Sequence, residues 1–336
     1  MTIPTPETAI REVVHRIRAG KRFLMTSHRN PDGDAIGSAL ALQGIVRKLG
    51  KEATVIVRDP FGKPLQNLPG AEEVLIAGSL PSGYPNEFDA LFTMECPDAE
   101  RAGFPILPGP VINIDHHLGN TMYGEVNYVD LAAPSVGEMV WQLNQVLGVP
   151  LDARIATAMY VSLAADTGFF RFSNTTQRAF EAALAMVRAG ANPGEISLWL
   201  NESSTPASIK LLGLCLSTLR LTADGKIASI ELPKRFYDEA GAAPEDAEGI
   251  VNYGRTIDTV LVSALFKEVD GRTTRVSMRA KPGVDTQAVA ARFGGGGHKA
   301  ASGCTISLPM DEAKEKLLGI LTHVIESPSD VRRKDL

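Results

Sequence analysis

Residues 26–37 of the chain read Thr-Ser-His-Arg-Asn-Pro-Asp-Gly-Asp-Ala-Ile-Gly. A short run with β-character precedes this stretch, and a helical pattern that extends to about Leu49 follows it. His28, Asp32 and Asp34 are therefore predicted to lie in the loop at the carboxyl end of a strand, where open α/β sheets bind their ligands. One imidazole and two carboxylates form a ligand set that suits Mn²⁺, Zn²⁺ or Mg²⁺. The alternative is an Asx-rich turn in which an Asp side chain caps the helix.

Length and composition indicate an ordinary globular protein of two domains. The chain has 336 residues, of which 44% are hydrophobic and 22% are charged, with a formal net charge of -5. Because it has no basic tract, long nucleic acid is not expected as a partner. The sequence shows no signal peptide and no apolar run of membrane-spanning length, so no membrane partner is expected. The three cysteines, Cys96, Cys215 and Cys304, are far apart in the sequence, which favours a reduced cytoplasmic setting.

The first part of the chain is predicted to be an α/β domain, residues 1–190. Short and almost wholly apolar strands alternate with helical patterns, which indicates a parallel sheet with helices on both faces. Strands are predicted near 22–27, 53–57, 89–94 and 110–114, and helices near 6–19, 34–49, 134–146 and 152–165.

The pattern changes after a predicted linker, residues 191–206, which contains two turn-forming segments. Residues 207–328 are predicted to form a smaller α+β domain with antiparallel strand pairs. Two hairpin signals support this prediction, Ala-Asp-Gly-Lys at 223–226 and Val-Asp-Gly-Arg at 269–272. The last residues, 329–336, are predicted to be a polar tail.

Further candidate metal ligands follow the later predicted strands. Glu95 and His116 each come directly after an apolar run, and Asp166 ends a predicted helix. Because the carboxyl ends of parallel strands meet at one edge of a sheet, these residues are expected to approach the ligands of the opening loop. Six N/O ligands with four carboxylates suit two cations that share a bridging carboxylate, an arrangement used in phosphoryl transfer.

Each of these candidates also has a structural interpretation. Asp115-His116-His117 could be a polar turn after a strand, although two adjacent histidines in a chain with six favour a chemical role. Asp166 lies at the end of a helix, where the dipole favours cations, so its position indicates a positive charge nearby.

Five motifs in this order resemble those of the DHH phosphoesterase superfamily. The motifs are His28-x-x-x-Asp32-x-Asp34, Glu95 six residues before Arg101, Asp115-His116-His117, Ala165-Asp166-Thr167-Gly168, and Gly294-Gly295-Gly296-Gly297-His298-x-x-Ala301-x-Gly303. The last is similar to the glycine-rich motif of the DHH-associated domain. The resemblance covers nearly the whole chain, and the most similar subgroup is the nanoRNase and pAp-phosphatase type. Those proteins are cytoplasmic, remove mononucleotides from very short oligonucleotides and dephosphorylate 3′-phosphoadenosine 5′-phosphate (pAp).

The resemblance implies two divalent ions, with Mn²⁺ first and Mg²⁺ or Co²⁺ as alternatives. His117 would approach the scissile phosphate or lie just beyond the metal ligands, and Asp115 would orient the histidines by hydrogen bonding. The implied ligands are His28 and Asp32 for the first ion, Asp34, His116 and Asp166 for the second, and Glu95 as the bridge.

Glu95 departs from the family pattern, which usually has Asp at the bridging position. Because Glu reaches one methylene further, either the backbone stands back or the distance between the ions changes. Asp98 is a fallback ligand, although its spacing to Arg101 fits the motif less well.

The C-terminal domain is expected to bind the substrate. Backbone N–H groups in a glycine run can approach an anion closely, and the helix predicted to follow would add a favourable dipole. The resemblance implies that Arg279 and His298 bind the terminal phosphate or the nucleobase, whereas a solvated Arg and a plain tight turn are the structural alternatives. The candidate substrate-binding residues are Arg279, Gly295, Gly296, Gly297, His298, Arg101 and Asn252, with Lys299 as a weaker candidate.

The sequence thus predicts a metal-dependent phosphodiesterase or phosphatase that acts on short oligonucleotides, on dinucleotides such as pApA, or on pAp. A cyclic-dinucleotide phosphodiesterase and an inorganic polyphosphate or pyrophosphate hydrolase are alternatives within the enzyme class. A nucleotide-binding sensor with impaired catalysis is the alternative outside it, because of Glu95. A homodimer is expected only from its general frequency among soluble proteins.

Overall fold

The computed structural model describes residues 5–104, 109–202 and 204–326. The chain divides into two compact units, Met1–Ser203 (unit 1) and Ser204–Leu336 (unit 2). The range predicted as a linker, 191–206, contains the helix Pro193–Asn201. The predicted polar tail, 329–336, lies outside the described residues. None of the described helices has both the length and the apolar character that crossing a bilayer requires.

Strands and helices alternate in unit 1, as the sequence predicts. The strands are β1 (Arg22–Ser27), β2 (Glu52–Val57), β3 (Leu75–Ile76), β4 (Ala90–Met94), β5 (Val111–Asp115) and β6 (Val126–Val129). The helices are α1 (Pro6–Ala19), α2 (Gly33–Lys48), α3 (Val136–Leu147), α4 (Ala153–Asp166), α5 (Gln177–Arg188) and α6 (Pro193–Asn201). The described strands form one six-stranded sheet in the order β3-β2-β1-β4-β5-β6, and every neighbouring pair is parallel. The predicted α/β class is confirmed.

The central strands of this sheet are apolar on both faces because both faces are covered. Phe23 and Met25 of β1 belong to the main core, together with residues from the helices of unit 1. Leu24 and Leu91, on the other face, pack in a second cluster with Phe104. This burial explains why the strands lack the alternation of polar and apolar residues.

Two helices approach each other closely in unit 1. A Cβ atom at Gly37 would come within 2.5 Å of the Ala158 carbonyl oxygen, so any larger residue there would push α2 away from α4. The two helices are antiparallel, because Gly33 faces Ala165 while Gly44 faces Ile155. The start of α2 therefore lies beside the end of α4, which brings two candidate ligands together.

Unit 2 contains a mixed sheet with helices on it. Its strands are β7 (Arg220–Thr222), β8 (Ile227–Leu232), β9 (Val262–Asp270), β10 (Thr273–Ala280), β11 (Gly296–His298) and β12 (Ala301–Ile306). Its helices are α7 (Pro206–Ser217), α8 (Arg235–Ala240), α9 (Ile250–Arg255), α10 (Thr286–Ala291) and α11 (Met310–Glu326). The sheet order is β11-β12-β10-β9-β8-β7, with β8 and β9 parallel and the other neighbours antiparallel. Both predicted hairpins are present, and the α+β class is confirmed.

The prediction that a helix follows the glycine run is wrong. Gly296–His298 and Ala301–Ile306 instead pair as an antiparallel hairpin, in which Gly297 lies opposite Ser302. Gly297 has a φ of 128°, a backbone conformation that favours glycine. Pairing with β12, which in turn pairs with β10, outweighs the local helical preference of the alanines. The anion-binding helix N-terminus that the sequence suggested after this run is therefore not formed.

Candidate metal centre

The predicted ligand residues of unit 1 lie at the carboxyl ends of three neighbouring strands. His28 follows β1, Glu95 follows β4, and His116 follows β5, and these strands are adjacent in the sheet. Asp32 caps α2, its carboxylate accepting hydrogen bonds from the N–H groups of residues 34 and 35. The Asx-turn alternative is thus also present, and it shapes the loop that carries the other ligands.

The structure brings these side chains into three overlapping groups. Within each group one potential ligand atom per residue lies within 4.8 Å of every other, among the residues that the structure describes. Glu95 is the residue that all three groups share. The groups are His28, Asp32 and Glu95; Asp34, Glu95, His116 and Asp166; and Glu95, His116 and His117.

His28 is oriented by its own loop. Its Nδ1 donates a hydrogen bond of 2.8 Å to the Arg29 carbonyl oxygen, which in the neutral ring leaves the lone pair on Nε2. That Nε2 lies 3.4 Å from Glu95 Oε2 and 3.9 Å from Asp32 Oδ1. The imidazole therefore presents a ligand atom to two carboxylates.

His116 is oriented by a different partner from the one predicted. Its Nδ1 donates to the Ala133 carbonyl oxygen at 3.1 Å, and its Nε2 lies 3.8 Å from Asp34 Oδ2 and 3.6 Å from Asp166 Oδ2. Within the described part of the chain, Asp115 hydrogen-bonds His117 and not His116. A backbone carbonyl thus orients His116, and a carboxylate orients His117.

Asp34 is fully buried and held from two helices. The Val136 and Gly137 N–H groups donate to its two carboxylate oxygens at 2.9 Å and 3.2 Å, at the start of α3. The Ser162 hydroxyl of α4 also donates to Asp34 Oδ1. The start of α3 adds a favourable dipole for the carboxylate charge.

The buried carboxylates raise one another's proton affinity. Burial, and then the charge of Asp166, raises the pKa of Asp34 to about 7, and burial raises the pKa of Asp166 to about 6. Burial, and then the charge of Asp32, raises the pKa of Glu95 well above its ordinary value. Burial would lower the pKa of His116, but Asp34 and Asp166 raise it. Crowded negative charge of this kind is relieved by a bound cation.

Glu95 provides the test of whether these residues fit a metal. Its Oε2 atom is buried and, within the described part of the chain, has no hydrogen-bond partner. A carboxylate oxygen buried without a donor is costly unless a cation neutralises it. Glu95 also adopts a left-handed backbone with a φ of 58°, which is uncommon for a residue other than glycine. The donor set and the orphaned oxygen fit a divalent cation.

Asp115 and His117 form a hydrogen-bonded pair. His117 Nδ1 donates to Asp115 Oδ1 at 2.7 Å, and Asn120 donates to Asp115 Oδ2 at 2.6 Å. Burial alone would raise the pKa of Asp115, but these partners, His117 first, lower it. The ionised carboxylate fixes the ring orientation of His117.

Asp98 and Arg101 occupy a neighbouring site. Asp98 caps the short helix Ala99–Ala102 by accepting from the Arg101 N–H, and it belongs to none of the three ligand groups in the described residues. Both residues line a polar cavity of about 390 Å³ together with Arg29 and Asn30, next to the loop that carries His28.

The predicted substrate-binding residues of unit 2 are on separate elements. Arg279 is on β10, where burial, and then the charge of Arg255, lowers its pKa, and Asn252 is an exposed residue of α9. Gly295 leaves no room for a side chain, since a Cβ atom there would come within 2.8 Å of the Cys304 Cα atom. Gly296, Gly297 and His298 form β11.

Several positioning contacts were not predicted. His116 donates a hydrogen bond to the Ala133 carbonyl oxygen. Asp34 accepts one from the Ser162 hydroxyl, and the Asp166 carbonyl oxygen accepts one from the Asn174 side-chain amide. These positioning residues are distant from their partners in sequence and belong to no short motif. Only the folded arrangement of α4 and of the segments that precede α3 and α5 identifies them.

Comparison with protein families identifies the family of this chain. The DHH family, N-terminal domain, matches residues 22–163, and the DHHA1 domain matches residues 224–327. A protein of Thermus thermophilus is 34% identical to this chain over 297 residues, which cover 88% of this chain and 87% of the relative. The chain therefore belongs to the DHH family, and the resemblance inferred from its motifs is confirmed.

Individual relatives show which members of the family this chain is similar to. The Thermus thermophilus protein is named bifunctional oligoribonuclease and PAP phosphatase NrnA, and a Bacillus subtilis protein of the same name is 28% identical over 319 residues, 93% of this chain and 97% of the relative. An exopolyphosphatase-related protein from Bacteroides fragilis has a similar structure, with a TM-score of 0.88, 24% identity and coverage of 97% of this chain and all of its own. Thermus thermophilus RecJ in complex with Mn²⁺ is more distant, with a TM-score of 0.54, 14% identity and coverage of 98% of this chain and 56% of RecJ. The two solved structures show a shared fold.

The pH dependence of stability tests the crowding of these carboxylates. In the presence of a chelator, we expect the melting temperature to fall as the pH rises from 3.8 towards about 7. Asp34 and Asp166 have pKa values of about 7 and about 6 in the folded protein against the ordinary 3.8, so the folded state binds more protons in this range. The resulting stability is present at the lower pH and is lost as the pH rises through the folded-state values. Thermal denaturation in chelator across this range measures the effect, and a flat or rising curve would contradict it.

Proposed function

We propose that this protein is a two-metal phosphoesterase that hydrolyses short oligonucleotides and pAp. The observation that carries the proposal is the position of Glu95, which all three ligand groups share and whose buried Oε2 atom has no hydrogen-bond partner among the described residues. Membership of the DHH family and the names of the bacterial relatives support the substrate class. The overall formal charge of -5 also favours short substrates over long nucleic acid.

Each ion is assigned to one ligand group. We assign His28 and Asp32 to the first, and Asp34, His116 and Asp166 to the second, with Glu95 between them. Imidazole and carboxylate ligands suit Mn²⁺, with Mg²⁺ or Co²⁺ as alternatives, and RecJ, which shares the fold, is described with Mn²⁺. When bound, two such ions activate a water molecule and neutralise charge on the reacting phosphate.

The remaining residues of the centre hold His117 and Asp34 in position. Asp115 holds the His117 ring by the 2.7 Å hydrogen bond. This bond fixes the orientation of the imidazole that we propose approaches the phosphate. The start of α3 and Ser162 hold Asp34 in one rotamer. These groups are arranged before any substrate binds, which avoids reorganisation during the reaction.

Substrate recognition is proposed for unit 2. Arg279 is partly buried, and nearby Arg255 contributes to the lowering of its pKa. The Glu248 carboxylate opposes the effect of Arg255 on this pKa. A planar guanidinium binds phosphate oxygens in pairs. We propose that Arg279 binds the terminal phosphate of the substrate, with Asn252 and the strand Gly296–His298 as further contacts. Arg101 is proposed to bind substrate in unit 1.

A cytoplasmic setting completes the proposal. Cys96, Cys215 and Cys304 are all free and buried. Free cysteines are typical of proteins in a reducing compartment.

A substrate panel with and without metal tests the function. We expect Mn²⁺ to support release of mononucleotide from pApA and of phosphate from pAp. Chelation should reduce both rates at least about a thousandfold, because several kcal/mol of transition-state stabilisation depends on the ions. The panel contains pAp, pApA, cyclic di-AMP, five-mer RNA and pyrophosphate, each assayed with Mn²⁺, Mg²⁺, Co²⁺ or chelator.

Two results would contradict the proposed function. Tight nucleotide binding without hydrolysis under every metal condition would favour a sensor. Turnover of pyrophosphate with no turnover of pAp or pApA would favour an inorganic substrate. The His116→Ala variant serves as the inactive control.

A further inference from the structure

An ion-pair network joins Arg178, whose side chain is 29% exposed, to two buried carboxylates near the proposed ligands of the second ion. None of its members belongs to the sequence motifs. Arg178 of α5 donates from Nε to Glu138 Oε1 at 2.7 Å, and its Nη2 lies 2.6 Å from Glu138 Oε2. The same guanidinium donates from Nη1 to Asp130 Oδ2 at 2.7 Å. Glu138 is fully buried and Asp130 is 9% exposed. One guanidinium therefore joins two carboxylates from different elements.

Glu138 connects this network to Asp34. It is the third residue of α3, and its own N–H is capped by the Ser135 hydroxyl at 3.0 Å. The two preceding residues, Val136 and Gly137, donate their N–H groups to Asp34. The pairing of Arg178 with Glu138 thus anchors the helix end that holds Asp34.

Asp130 connects the network to His116. Its Oδ1 accepts from the Ala132 N–H at 3.0 Å, and its carbonyl accepts from the Ala133 N–H at 3.1 Å, which forms a tight turn over residues 130–133. The carbonyl of Ala133 then accepts from His116 Nδ1. The pairing of Arg178 with Asp130 thus anchors the turn that orients His116.

The third proposed ligand of the same ion is tied to this turn as well. Asn174 Nδ2 donates to the Pro134 carbonyl at 3.0 Å and to the Asp166 carbonyl at 3.1 Å. By contrast, His28 is oriented by the Arg29 carbonyl on the loop after β1, and among the described residues no hydrogen bond or ion pair joins that loop to Arg178.

We propose that Arg178 is a positioning residue for the second ion, acting through Glu138 and Asp130 to fix Asp34 and His116. The inference rests on the proposed two-metal function and extends it to residues outside the motifs. It distinguishes the two ions, because among the described residues His28 and Asp32 form no hydrogen bond or ion pair with Arg178, Glu138 or Asp130. Partners one shell beyond metal ligands typically change metal affinity or activity by about 10- to 100-fold when they are replaced.

The test uses the full chain and conservative variants, because Arg178→Ala would leave the buried Glu138 without its cation and threaten folding. Arg178→Lys keeps the charge but cannot bind both carboxylates in a planar fork. Asp130→Asn keeps the Oδ1 acceptor and removes the charge that pairs with Arg178. The matched control is Arg154→Lys, because Arg154 also pairs with a carboxylate, Glu73, and lies at the opposite end of α4 from Asp166.

The measurement is titration of the metal-free protein with Mn²⁺, with free Mn²⁺ followed by electron paramagnetic resonance. We expect Arg178→Lys and Asp130→Asn to weaken one of two binding events at least about tenfold, while the other event and the control keep wild-type affinity. Equal weakening of both events, or of neither, would overturn the role of Arg178 and leave the proposed function standing. Wild-type protein that binds no Mn²⁺ would overturn both.

Discussion

Replacing Glu95 by glutamine is expected to lower kcat/KM for pApA at least about a thousandfold in saturating Mn²⁺. Glu95 belongs to all three ligand groups, and among the described residues its Oε2 has no hydrogen-bond partner. A neutral amide has the same shape but cannot neutralise two cations, so both ions should bind more weakly. Steady-state kinetics and Mn²⁺ titration measure the two effects together.

Two further variants sharpen this result. Glu52→Gln is the control, because Glu52 is exposed and pairs with Arg22 at 3.1 Å. It begins β2, and so lies at the amino ends of the strands, whereas Glu95 lies at their carboxyl ends. Glu95→Asp keeps the charge and shortens the reach by one methylene, so its activity should lie between that of the wild type and that of Glu95→Gln. If Glu95→Gln kept near-wild-type turnover and both ions, the shared-ligand interpretation would be wrong.

Replacing Asp166 by asparagine is expected to change activity and metal-free stability in opposite directions. In Mn²⁺ the loss of an anionic ligand should lower kcat/KM at least about a hundredfold. In chelator at pH 8 the melting temperature should rise, because Asp166 is a neighbouring negative charge that raises the pKa of Asp34. Removal of the Asp166 charge relieves that repulsion and so stabilises the metal-free protein. Activity nevertheless requires the charge, which is a trade-off between stability and function.

The control for this variant is on the same helix. Asp152→Asn replaces the residue that caps the start of α4, where asparagine is an equally good cap, and should leave turnover unchanged. Matching losses of activity and of metal-free melting temperature in Asp166→Asn would indicate general damage to the fold. That result would contradict the ligand role proposed for Asp166.

Much of the site could be predicted because its residues come in short local motifs. His28, Asp32 and Asp34 share one loop between a strand and a helix, and the alternation of strands and helices implies that this loop meets those after β4 and β5. The parallel class of the sheet also follows from local pattern, because its strands are apolar throughout. These features depend on the chain over distances of a few residues.

The glycine run shows where local reasoning was insufficient. Residues 299–301 favour a helix by composition, yet Ala301 begins β12, which pairs with β10 residues 22 to 32 positions earlier in the chain. Cross-strand pairing of this kind has no signal in a short window. The parallel pairing of β8 with β9 was missed for the same reason.

The amino-acid sequence was sufficient to identify the class of sheet, the family and the side chains able to bind a metal, since each depends on the type and spacing of neighbouring residues. Only the tertiary structure reveals how those side chains are held: Ala133 orients His116, Ser162 and the start of α3 hold Asp34, and Arg178 joins two elements behind them. The reason is physical. The hydrogen bond that orients His116 comes from a residue 17 positions away, and the Ser162 hydroxyl that holds Asp34 is 128 positions away, so packing of the chain decides whether these residues come within reach.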